Sequence, residues 1–164
     1  MCLQLAYLPC MKKTIITTLI SFVISSLTVV HAENYKAAKL KYSLDFLIQK
    51  TLEMKKQTKR EDIPLPTFHF QSTTPLKQFQ DAIEKQWGYR PDVFTNAFSV
   101  INNEVYIMDE QEYYDRHDRC MDDSVVHELA HYVQVKYLNW DLADESLEWD
   151  AIEVQTEFRK EFCK

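Results

Sequence analysis

The sequence predicts one small domain of the α+β class, and three observations carry that reading. Four stretches repeat apolar residues at the i, i+3, i+4, i+7 spacing of a helix buried on one side. Between them lie a short alternating run and a pair of short apolar runs of strand character, with Pro, Gly and Asn at the breaks. Once a leader over residues 1–32 is set aside, residues 33–164 leave 132 positions, enough for one core and too few for two.

The leader is read from its charge and apolar pattern. Lys12 and Lys13 precede an apolar run from Ile15 to Val30, and Val30-His31-Ala32 satisfies the small-residue rule for signal cleavage after Ala32. Met11-Lys12-Lys13 is already a complete start, so the residues before Met11 read as extra translation upstream. The run is 16 residues long and interrupted by Thr and Ser, whereas a bilayer span needs about 20. No stable membrane span is therefore expected after cleavage, and the product is expected in the periplasm or secreted.

From Tyr35 to about Lys56 the period is helical, with Ala37, Leu40, Leu44, Leu47, Ile48 and Leu52 on one side. Pro64 and Pro66 break the chain, and Thr67-Phe68-His69-Phe70-Gln71 predicts a strand with both Phe inward and His69 outward. Thr74 followed by Pro75 is an N-cap and first-turn pair, opening a helix with Leu76, Phe79, Ile83 and Trp87 on its buried stripe. Gly88, the only glycine of the chain, follows Trp87, where a left-handed cap needs a residue without Cβ. A phosphate-cradling glycine loop is thereby excluded.

Ala97 to Ile101 and Glu104 to Met108 read as a hairpin about Asn102-Asn103, since Asn tolerates the positive φ of a tight turn. Asp122 to Tyr137 is again helical, burying Val126, Leu129, Ala130, Val133 and Tyr137, with Asp122 and Asp123 at its positive N-terminal end. In the last helix Leu147, Ala151, Val154, Phe158 and Phe162 fall within about 80° of arc.

Charge and cysteines narrow the class. Without the leader, 17 basic residues face 25 acidic ones, a net charge of −8 that argues against nucleic acid as a partner. Cys120 and Cys163 are the only cysteines beyond the leader. If the last two helices form an antiparallel hairpin across Asn139 to Asp144, one cysteine meets the other, and an oxidising compartment would join them. Zinc ligation by this pair is the rival reading, though neither cysteine has CxxC-type company.

The chemistry lies in His127-Glu128-Leu129-Ala130-His131. Two residues four apart on a helix are rotated only about 40° from one another, so both imidazoles leave one face and can share a metal ion. Glu128 stands about 100° round the helix, which suits a general base beside the metal rather than a ligand. Zinc held by such a pair and one further ligand lowers the pKa of a bound water to about 7, and Glu128 would take that water's proton.

This segment resembles the active-site helix of the HExxH zinc metallopeptidases. Gln134 and Tyr137 stand where the metzincin continuation needs Gly and His, which leaves the gluzincin branch, with a thermolysin-like layout and a Glu ligand on the following helix. Glu148-Trp149-Asp150-Ala151 offers that pattern. On the helical wheel Glu148 borders the apolar stripe about 80° from its centre, whereas Glu145 and Glu153 lie about 140° away and Asp150 flanks the opposite side with a shorter side chain. Glu148 is thus the expected third ligand, with His127 and His131.

Related patterns place an Asp four residues after the ligand Glu to orient the first His, and here that position is Ile152. Gln155 is the expected replacement. The resemblance also implies a substrate strand adding along Glu104 to Met108. An oxyanion donor is sought among Tyr113 to Arg119, or at Tyr137.

The function expected is an exported zinc-dependent hydrolase acting on a peptide or protein substrate. The alternative is a catalytically idle zinc-binding or disulfide-stapled extracytoplasmic binding or structural protein. No feature of the sequence specifies an oligomeric state.

Overall fold

A computed structural model describes residues 35–141 and 144–164, so the leader expected over residues 1–32 lies outside the described residues. In chain order the elements are α1 (Leu44–Met54), β1 (Thr67–Phe70), α2 (Leu76–Trp87), β2 (Ala97–Ser99), β3 (Glu104–Ile107), α3 (Gln111–Arg116), α4 (Met121–Lys136) and α5 (Ser146–Phe162). The result is a small α+β domain of five helices and a three-stranded mixed sheet in the order β1-β3-β2, with β1 parallel and β2 antiparallel to β3.

The pleat of β3 divides the core. Val105 and Ile107 face one side, where with Phe98 they meet α1, α4 and α5 through Leu47, Val125, Val126, Leu129 and Phe158. Tyr106 faces the other, against Phe79, Ala82 and Ile83 of α2. Successive side chains of a strand point to opposite faces, so a middle strand covered on both sides is buried at Val105, Tyr106 and Ile107 alike. Helix α4 is the most enclosed of the helices. Val125, Val126, Leu129 and Ala130 are fully buried, and each full-sized apolar side chain so enclosed contributes about 1.5–3 kcal/mol. It packs against α1, α5 and the sheet.

Helices α4 and α5 run antiparallel and pack together. Cys120, the N-cap of α4, is disulfide-bonded to Cys163, the C-cap of α5, with Cα atoms 5.6 Å apart, so these cysteines are not free to bind zinc. At the other end the Gln134 side chain donates to the Leu147 carbonyl at 2.8 Å.

Several sequence expectations are corrected. The first helix starts at Leu44, not Tyr35, because Ser43 caps it by accepting the Phe46 N–H. The residues before it are held out of a helix by distant partners. Ala37 bridges Glu110, Ala38 donates to the Asp109 carbonyl, and the backbone N–H groups of Lys41 and Tyr42 donate to the Asp122 carboxylate. Pro75, not Thr74, is the N-cap of α2, and Leu76 is 40% exposed while Ala82 is buried. Gly88 takes the left-handed cap with φ 75°. The hairpin register pairs Ser99 with Glu104, so its loop has four residues rather than two, with φ of 55° at Asn103. His69 does not face solvent: it stacks on Tyr106 beneath α2 and lies near Gln78.

Candidate metal centre

Helix geometry and the α4–α5 packing bring three side chains to one point. The Nε2 atoms of His127 and His131 are 3.2 Å apart. Glu148, in the first turn of α5, places Oε1 3.2 Å from His131 Nε2 and Oε2 3.5 Å from His127 Nε2. Donors about 2.0–2.1 Å from a tetrahedral ion are about 3.3 Å from one another, and the separations between the two imidazoles and the Glu148 carboxylate are of that order. The group could hold a metal ion. Of the other acids weighed, Glu153 is exposed, Glu145 stands at the cavity rim, and Asp150 is engaged elsewhere.

The packing behind the histidines is unequal. His131 Nδ1 lies 2.9 Å from Gln134 Oε1, which accepts the ring N–H and leaves Nε2 as the atom that faces Glu148. The Gln134 amide nitrogen then donates to Asp150 Oδ2 at 2.6 Å, and Asp150 is ion-paired with Lys55. Gln134 is one turn from His131, an i, i+3 spacing that was legible in the sequence. His127 Nδ1, by contrast, is buried with no partner among the described residues. Gln155, expected behind it, instead donates to the backbone oxygen and Oδ1 of Asp123, at 3.1 and 3.0 Å.

Electrostatics sort the four groups. Burial, helped by the neighbouring His131, pushes His127 down to about 4. Burial also opposes charge on His131, but the Glu148 hydrogen bond and the Glu128 charge outweigh it and raise its pKa. The bond from His131 holds Glu148 below the usual carboxylate range against partial burial. Glu128 is buried and pushed up to about 7, chiefly by desolvation, while the Phe98 backbone amide facing it favours the charged form.

All four side chains line one cavity of about 620 Å³, together with Gln86, Phe98 and Arg119. The strand beside the site is β2. The expected binding strand β3 is flanked by β1 and β2 and has no free edge. The outer edge of β2 is itself engaged: Gln86 Nε2 donates to the Phe98 carbonyl at 3.0 Å, and Gln86 Oε1 accepts the Val100 N–H at 2.9 Å. Among the expected oxyanion donors, only Arg119 lines the cavity. Tyr137 is buried elsewhere, its hydroxyl accepting the Arg60 N–H, and the Tyr114 hydroxyl donates to the Met108 carbonyl.

No protein-family model, curated protein or solved structure matches the chain. What the site can do therefore rests on its own geometry.

Proposed function

We propose that the protein is an exported zinc-dependent hydrolase that cuts peptide bonds, with His127, His131 and Glu148 as metal ligands and Glu128 as general base, in a layout resembling the gluzincins. The observation that carries this reading is the convergence of two imidazole Nε2 atoms 3.2 Å apart with the Glu148 carboxylate, whose oxygens lie 3.2 and 3.5 Å from them, beside a buried carboxylate one residue from His127. Two imidazoles and one carboxylate are a catalytic zinc set, leaving one position open. Zinc bound there supplies a Lewis acid that polarises a carbonyl and acidifies water.

The protein's own groups account for the rest. Gln134 holds His131 in the tautomer that presents Nε2. Glu148 keeps its charge at the positive end of α5, where a carboxylate is favoured. A base is most effective when its pKa lies near the working pH, and Glu128, raised to about 7, can take a proton from water and pass it to the leaving amine. The disulfide is consistent with export.

The test is metal content together with peptide hydrolysis. About one zinc per chain and turnover lost in Glu128→Gln with zinc retained are the expected results. Protein that binds no metal, or equal turnover in Glu128→Gln, overturns the reading.

A further inference from the structure

Arg119 is the one Lys or Arg side chain lining the cavity among the described residues. Its position is tightly built. Asp118 before it takes a left-handed φ of 49°, its own N–H donates to the Tyr114 carbonyl, and Cys120 after it is tied to Cys163. The guanidinium grips the buried Asp123 carboxylate, with Nε at 3.1 Å and Nη2 at 2.6 Å from Oδ1, and Nη2 also reaches Ser124 Oγ at 3.3 Å. Nη1 has only the Tyr113 hydroxyl, at 3.4 Å. A guanidinium has five N–H donors, so one on Nη1 keeps no protein partner.

The same carboxylate also receives Arg159 Nε at 2.6 Å. Two guanidinium charges thus share one carboxylate, so Asp123 alone does not neutralise both. The opposite end is lined by Asp144 and Glu145, which the antiparallel run of α5 places beyond His131. The cavity is therefore polar along its length, with the metal triangle between a cationic and an anionic end.

Distance sets what an anion at Arg119 would be. Asp123, which the guanidinium grips, stands four residues, about 6 Å along the helix, before His127. One residue of extended chain, about 3.5 Å, together with a hydrogen bond of about 2.8 Å, spans that separation. Main-chain recognition of a long extended peptide is hindered, since Gln86 occupies the Phe98 carbonyl of β2 and the N–H of Val100, the residue after it. An end group is the feature this cavity can read.

We propose that Arg119 binds the free terminal carboxylate of a short peptide, so that the protein releases the carboxyl-terminal residue instead of cutting within long chains. The inference rests on the hydrolase reading and specifies its substrate. One water is consumed and the C–N bond breaks. The water oxygen goes to the acyl carbon and a proton goes to the leaving amino group.

The test compares acetyl-Ala-Ala-Phe with its carboxyl-terminal amide. Binding is measured by calorimetry to Glu128→Gln protein with and without zinc, and hydrolysis is measured with the unaltered protein. The free acid is expected to bind about tenfold tighter than the amide, a typical gain for a charge-assisted bond, in both metal states. Arg119→Gln is expected to abolish that preference. Arg119→Lys, which keeps the charge on Asp123 but offers no second nitrogen, is expected to fold normally and lose it too. Equal binding of acid and amide, a preference that survives either substitution, or one present only with zinc overturns the proposal. If the amide is cut as fast as the acid, the hydrolase reading stands and the carboxylate site falls. If the acid is bound through Arg119 but neither peptide is cut, the site stands and the hydrolase reading falls.

Discussion

The ring of His131 is braced by Gln134, whose amide bridges from the imidazole Nδ1 at 2.9 Å to the Asp150 carboxylate at 2.6 Å. The brace crosses from α4 to α5, so it couples the metal triangle to the packing of the two helices. Partners behind a ligating histidine are typically worth about 10–100-fold in metal affinity. Gln134→Ala is expected to weaken zinc binding by that factor, measured by chelator competition. It also leaves the Leu147 carbonyl without its buried donor, costing about 1–3 kcal/mol in urea denaturation.

Glu128 makes a prediction with a definite sign. Its pKa rises from an ordinary 4.5 to about 7 in the metal-free fold. Between those values the unfolded chain has lost the proton and the folded chain keeps it, so stability falls as pH rises through the interval and stays low above it. Glu128→Gln removes this cost. The metal-free variant should be more stable than the unaltered protein by up to about 3 kcal/mol at pH 8 and no more stable at pH 4. Thermal unfolding in chelator at the two pH values checks this.

The unequal histidines predict a proton count. His127 is held down to about 4 and is already neutral at pH 5.5, whereas His131 is raised and carries a proton there. A metal must displace that proton. In a Glu128→Gln background, which removes the other titrating group and leaves the Glu148 hydrogen bond to hold His131 up, zinc binding at pH 5.5 is expected to release about one proton per ion. Calorimetry in buffers of different ionisation enthalpy measures the number, and a value near two would contradict the depressed pKa of His127.

The Cys120–Cys163 bridge spans a sequence separation of 43. On the loop-entropy view, closing a loop of that size stabilises the fold by about 3–4 kcal/mol. Replacing both cysteines with Ser is expected to lower stability by that amount, and reductant should lower the urea midpoint of the unaltered protein similarly while leaving the double variant unchanged.

Asp123 accepts two guanidiniums and Gln155 while fully buried. Removing one partner of such a cluster costs about 3–5 kcal/mol. Asp123→Ala should therefore be among the most destabilising single changes on α4, read by urea denaturation.

What the sequence determined is local. The pairing of His127 with His131 on one face follows from helical pitch, the cap at Gly88 from its missing Cβ, and the border position of Glu148 from the apolar stripe of its own helix. The partner of Gln134 is also only one turn away, but the sequence pointed to Gln155 for the supporting amide, and the structure gives that role to Gln134. Tertiary structure alone decided the rest. Asp122 and Asp123 looked like ordinary acids at a helix start, yet they are buried against the Lys41 and Tyr42 backbone and against Arg159, residues 81, 80 and 36 positions away. The parallel pairing of β1 with β3 left Glu104 to Ile107 in the middle of the sheet and gave the cavity edge to β2. Periodicity reports which face of an element is apolar. It carries no information on which polar groups from distant parts of the chain will meet once those faces are buried, because those pairings are fixed only when the elements pack.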